Sequence, residues 1–159
     1  MNSVPAFLGL DYHDEAVEVS VMGSQGDILA SRRCPNSAQA VVSTVPPGCH
    51  VVGAALEACC GAADFAEELM KATGRAVDPA HPGFVTRMKQ NPDEHDFGDA
   101  RMLADLERVG YLPRVWLAPE SIRQLRQRVR YCQQLVSAHR QRKKKQGKRI
   151  RRQAGRPGR

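Results

Sequence analysis

Ala6-Phe7-Leu8-Gly9-Leu10-Asp11 is an apolar stretch with one glycine that ends on an acid, and it reads as a strand. Residues 16–22 alternate, with Val17 and Val19 on one face, and read as a second strand. Tyr12-His13-Asp14-Glu15 turns the chain between them. Gly23-Ser24-Gln25-Gly26-Asp27 turns it again into a third strand over residues 28–33. The outcome is an antiparallel meander of three strands. Asn36 and Ser37 can cap a short helix over residues 38–45, which Pro46-Pro47-Gly48 breaks. A helical crossover leads to a parallel strand, and residues 51–57 supply one. They are almost wholly apolar, as a strand buried on both faces must be, so this strand is expected at the centre of the sheet.

Further along, Phe65, Leu69 and Ala72 step at helical spacing within residues 61–73, and Gly74 stands where a helix end prefers glycine. A short strand is expected over residues 75–78, and the prolines and glycine within residues 80–94 predict an irregular linker. Asp96 can cap a helix to about Val109, with Leu103, Leu106 and Val109 on its buried side. After Pro113 and Pro119 a long helix is predicted. Its apolar positions Ile122, Leu125, Val129, Cys132 and Val136 step by 3, 4, 3, 4, a heptad seam. The seam spans barely two heptads, so it suits either docking on its own domain or pairing with a second subunit through residues 122–139. These segments predict an α/β domain over residues 1–114, a basic connector or coiled-coil helix over 115–141, and a disordered basic tail over 142–159.

Charge divides the chain in the same place. Residues 1–120 hold all 17 acidic and only 9 of the 24 basic residues, and the last 39 residues carry +15. A block of that sign attracts a polyanion, and nucleic acid is the commonest. Arg123, Arg126, Arg130, Arg140, Lys143, Lys144 and Lys145 are the candidate backbone contacts. No signal peptide or membrane-length apolar run is present, so a cytoplasmic chain without a membrane partner is expected. Five cysteines without CxxC spacing and five histidines without shared ligand spacing point to neither disulfides nor a zinc site. Tyr111 and Trp116, beside the Pro113 turn, are expected to pack rather than stack on bases.

Acids fall at the end of the first strand (Asp11), at the end of the fourth (Glu57) and at the start of the late helix (Asp96, Asp99). The first and fourth strands lie side by side in a sheet of this order, so Asp11 and Glu57 come together at the carboxyl edge where open α/β sheets bind ligands. Asp96 and Asp99, three apart, share a helix face. Any one of these acids has a structural explanation as a turn or helix cap. Together they make a cluster that needs a cation, and hard oxygen donors select Mg²⁺ or Mn²⁺. Such a site serves phosphoryl transfer on nucleic acid.

With these residues in view, the sequence resembles the insertion sequence 110 family of DEDD transposases. The resemblance rests on Phe7-Leu8-Gly9-Leu10-Asp11, on Leu56-Glu57-Ala58 with Gly61, and on Asp96-Phe97-Gly98-Asp99-Ala100-Arg101 followed by Leu103-Ala104-Asp105-Leu106. It continues through Gly110-Tyr111-Leu112-Pro113 into the helix from Ile122 to Val136. It implies a RuvC-like, ribonuclease H-like fold and assigns the four metal-binding, catalytic carboxylates to Asp11, Glu57, Asp96 and Asp99. It further implies Mg²⁺, DNA as substrate and a guide RNA as partner. The family's second domain, with a nucleophilic serine, has no counterpart here, and Glu94-His95 replaces the basic and hydroxyl residues common before the first aspartate of the pair. The expectation is a truncated transposase acting in DNA transposition and recombination. The competing readings are a stand-alone Mg²⁺-dependent structure-specific nuclease, a non-catalytic nucleic-acid-binding regulatory remnant, and half of an actin-like ATPase.

Overall fold

A computed structural model describes residues 3–59, 61–88 and 96–154, with backbone alone at 86, 96, 97 and 147–154. Three antiparallel strands come first: β1 (Val4–Tyr12), β2 (Ala16–Gly23) and β3 (Ile28–Pro35). Helix α1 (Ala38–Val42) starts at Ser37, whose hydroxyl accepts the Ala40 N–H, satisfying one of the donors that a helix start leaves without a partner. It leads to β4 (Cys49–Glu57), which pairs parallel with β1. Helix α2 (Ala62–Thr73), between Gly61 and Gly74, returns the chain to β5 (Val77–Ala80), parallel to β4. The sheet order is β3-β2-β1-β4-β5, a mixed five-stranded sheet compatible with a ribonuclease H-like arrangement.

Two helical layers cover this sheet. Even-numbered side chains of β1 and β4 (Leu8, Leu10, Ala54, Leu56) join Val17, Val19 and Val21 of β2 against Val41, Phe65, Ala66 and Leu69. The opposite face packs under α4 (Asp96–Arg108), where Ala55 and Ala80 meet Val85, Leu103 and Leu112. Because β2 lies between both layers, its residues from Val17 to Gly23 are all buried. The first compact unit closes at Leu117, and a second unit, Ala118–Arg159, contains helix α5 (Glu120–Ala154).

Several boundaries differ from expectation. The segment read as an irregular linker contains a helix, α3 (Pro82–Met88). Pro82 is its first residue, a position where the missing N–H costs nothing, and His81 Nδ1 accepts the Gly83 N–H at 3.1 Å. Residues 89–95, including Glu94 and His95, lie outside the described residues. Helix α5 continues to Ala154 rather than giving way to a tail at 142. A single glycine inside a helix costs only about 1 kcal/mol, and the flanking Arg, Lys and Gln are good helix formers. Tyr111 and Trp116 do not pack: they are 76% and 65% exposed. Cys34, Cys49, Cys59 and Cys132 are free thiols. Among the described residues no helix is long and apolar enough to cross a membrane.

Candidate metal centre

The strand registers set a row of charges across the sheet. Arg33 on β3 is the partner of Glu18 on β2, and Glu18 is the partner of Asp11 on β1. Leu10 lies beside Leu56, so the next residues, Asp11 and Glu57, are neighbours at the carboxyl edge of two parallel strands. All four belong to the face that α4 covers, because side chains alternate along a strand. On that face Gly9, two residues before Asp11, touches the helix.

Gly9 sets how close α4 can come. A Cβ there would overlap the Ala100 carbonyl oxygen and the Ala104 amide nitrogen. Helix backbone therefore rests directly on strand backbone, and Asp99, one residue before Ala100, is carried to the strand that bears Asp11. Asp99 Oδ1 is buried from solvent. A second close approach follows along the same helix, where a Cβ on Gly53 would lie 2.6 Å from Glu107 Oε1. Small residues on β1 and β4 thus hold α4 along the acidic row.

Asp11 is mostly buried, and its Oδ2 accepts a hydrogen bond from His13 Nε2 at 3.1 Å in the tautomer that places the proton there. The turn that carries His13 is braced by Asn36, whose Nδ2 donates to the His13 and Asp14 carbonyls at 3.0 and 3.3 Å. Glu57 and Asp99 are both half-buried. The Asp96 backbone begins α4, and its side chain lies outside the described residues. Among the described residues, no three His, Cys, Asp or Glu side chains stand close enough together to hold a metal ion. The fold thus brings Asp11 next to Glu57 and Asp99 to the same strand through its helix, without a closed ligand set among the described residues.

Glu18 went unnoticed in the sequence. Its side chain is 3% exposed, with Oε1 3.4 Å from Arg33 Nε. Cys34 follows Arg33 on β3, and its thiol is pushed up first by burial and then by the Glu18 charge. At the far end of α4, Arg114 Nε donates to Asp78 Oδ2 at 2.6 Å and its Nη2 to Glu107 Oε2 at 2.9 Å. Burial raises the Glu107 carboxyl above the usual range, the Arg114 charge opposes that rise, and the Asp78 charge adds to it. The hydrogen bond to Asp78 leads in keeping Arg114 protonated. This triad ties β5, α4 and the segment after α4 together and lies beside Gly53, away from the edge where Asp11 and Glu57 end.

Helix α5 carries the basic residues expected as backbone contacts. Arg126, Arg130, Arg140, Lys143, Lys144 and Lys145 are exposed. Arg123 is half-buried and donates to the Ala118 carbonyl at 2.7 Å, so part of its capacity is spent inside the helix start. The seam residues Leu125, Val129 and Val136 are exposed as well.

No curated protein matches the chain. One solved structure that does is a ROK family glucokinase from Streptomyces griseus in complex with glucose and AMPPNP, at 14% identity and a TM-score of 0.37. The match covers 52% of this chain and 35% of that one, so the chain spans about a third of the kinase's length. The family comparison is far more extensive: residues 8–151 match the model of the insertion sequence 110 DEDD transposases, described as a transposase. That span takes in the second half of β1, all of α4 and most of α5, and the chain therefore belongs to the insertion sequence 110 family of DEDD transposases.

Proposed function

We propose that this chain is the RuvC-like metal-dependent domain of a transposase, acting in DNA transposition by phosphoryl transfer on DNA. The observation that carries the proposal is the convergence at one sheet edge. Asp11 and Glu57 end adjacent parallel strands on one face, and α4, resting on Gly9, brings the Asp99 segment to it. Carboxylate oxygens are the donors that Mg²⁺ and Mn²⁺ prefer, so the chemistry of the set fits such a cation. Asp11, Glu57, Asp96 and Asp99 would hold it. When bound, one or two such ions activate the attacking oxygen and stabilise the leaving one.

Around that centre the chain's own groups divide the work. His13 fixes one Asp11 oxygen and so orients the other. Leu103 of α4 and Leu112 after it pack with Ala55 and Ala80 and hold the helix against the sheet. The exposed basic side chains of α5 suit the sequence-independent phosphate contacts that set DNA position. A guide RNA is a further polyanion that the same residues fit.

The test is Mg²⁺-dependent cleavage of branched and linear DNA by the purified chain. Cleavage that disappears in Asp11→Asn and in EDTA supports the proposal. DNA binding that is indifferent to chelator and accompanied by no cleavage in any divalent cation contradicts it, and would favour a binding-only role.

A further inference from the structure

Helix α3 is fastened to the sheet by one side and leaves the other exposed. Val85 is buried with Ala55, Ala80, Leu103 and Leu112, whereas Phe84, Arg87 and Met88 are exposed. Their spacing of three and four puts them on one helix face, and His81, three residues before Phe84, extends it. The Phe84 ring meets the His81 ring edge-on at 5.0 Å, and the Arg87 guanidinium carbon stands 5.8 Å from its centroid. His81 is itself held in place. Its Nδ1 accepts the Gly83 N–H at 3.1 Å, and its backbone N–H donates to the Pro113 carbonyl at 2.9 Å. Since Val85 already anchors the helix, a phenylalanine left 50% exposed forgoes much of the gain that burial would bring.

This face begins beside the edge where β4 ends. Glu57 is the register partner of Ala80, and Ala58 donates its N–H to the Ala80 carbonyl at 2.9 Å. A strand spacing, one residue step and one helical turn put the Cα of Phe84 within about 14 Å of that of Glu57. Charge in this segment also departs from its surroundings. In a unit that is acidic as a whole, residues 79–92 hold no acid, while Arg87 and Lys89 are basic. An exposed ring beside a guanidinium gives a base a surface to stack on and its phosphate a cation to meet, the combination that binds single strands without regard to sequence. A purely apolar partner would instead have to desolvate the Arg87 charge.

We propose that the exposed face of α3, formed by His81, Phe84 and Arg87, is a stacking platform for an unpaired nucleotide of the DNA strand beside the cleavage edge. The choice of DNA rests on the reading of that edge as the place of phosphoryl transfer; the binding itself requires no metal. The experiment is fluorescence anisotropy of a labelled oligothymidine of about twelve nucleotides, a length within the range of single-strand sites. It is titrated with the full chain in EDTA, as wild type, Phe84→Ala, Phe84→Tyr and Arg87→Gln, alongside an abasic oligomer of equal length. Phe84→Ala is expected to weaken oligothymidine binding about tenfold, Phe84→Tyr to keep nearly all of it, and neither to change binding of the abasic oligomer. Arg87→Gln should make the plot of log affinity against log salt shallower by about 0.7. Wild-type affinity for oligothymidine in both Phe84→Ala and Arg87→Gln overturns the proposal and leaves the face to a protein partner. A loss in Phe84→Ala that is equal for the abasic oligomer also overturns it, because such a loss does not come from stacking. Binding of oligouridine without binding of oligothymidine overturns DNA as the ligand. Should Phe84→Ala fail to fold, Arg87→Gln decides, and an unchanged salt slope there overturns the platform. Because EDTA removes divalent cations, failure of the metal site appears only in the cleavage assay with Asp11→Asn and leaves these affinities as they are.

Discussion

The contact between Gly9 and the backbone of Ala100 and Ala104 decides whether Asp99 can reach the strand of Asp11 at all. A methyl group at this position has only backbone to displace, so Gly9→Ala should destabilise the fold by about 1–3 kcal/mol, the usual cost of overpacking. A thermal melt should show this as a fall of several degrees, and an unchanged midpoint would mean that α4 does not rest on β1. Glu107 offers a second test at this scale. Its raised carboxyl binds a proton more tightly in the folded chain than in the unfolded one, so stability is highest below the ordinary glutamate range. It falls as pH rises from there through the raised folded value, and then levels off. Arg114 opposes that rise, so Arg114→Gln should steepen the loss in denaturant titrations above about pH 4, while a flatter profile would contradict the assignment. The positions of Asp11 and Glu57 near strand ends, and of Asp96 and Asp99 at a helix start, were legible. Glu18 was not, because in the alternation Glu-Val-Ser-Val it reads as a solvent-facing polar residue. Only the second helical layer, built from residues some eighty positions later, turns that face inward.

Among the elements, those with a clear period were the readable ones. β1 to β4 and α2 declare themselves by alternation or helical spacing, and the parallel pairing of β1 with β4 follows from the helical crossover between them. α3 was hidden because Pro82 and Gly83 read as breakers, and because its capping side chain is His81, outside the usual Ser, Thr, Asp and Asn signals. The end of α5 was hidden for the opposite reason. Breaker residues suggested a stop where the surrounding helix formers carry the backbone on. Its basic stretch can be tested by nucleic-acid binding against salt. If Lys143, Lys144 and Lys145 contact phosphates, replacing all three by Gln should make the plot of log affinity against log salt shallower by up to about 2.7, from about 0.9 per contact. An unaltered slope would remove these lysines from the interface.

At the scale of the whole molecule there are two units of opposite charge: an acidic α/β unit closing at Leu117 and a strongly basic one after it. Sequence alone reached the charge division, the antiparallel meander of the first three strands and the pairing of the first strand with the fourth. It could not reach the packing of α4 on the sheet, which depends on backbone contact at Gly9 and Gly53 that no period in the sequence announces. Membership of a transposase family gives the acidic unit its chemical context, and the convergence of strand ends gives that context a place. The central claim is that Asp11, Glu57, Asp96 and Asp99 together bind a divalent cation. Acids held together without a cation repel one another, so removing one should relieve the metal-free protein even as it destroys the site. Calorimetric titration of Mn²⁺ into wild type and Asp99→Asn, paired with melts of the metal-free proteins, tests both halves together. The account predicts saturable binding by wild type, its loss in Asp99→Asn, and a metal-free midpoint in the variant equal to or above that of wild type; equal Mn²⁺ binding by the two proteins would contradict it.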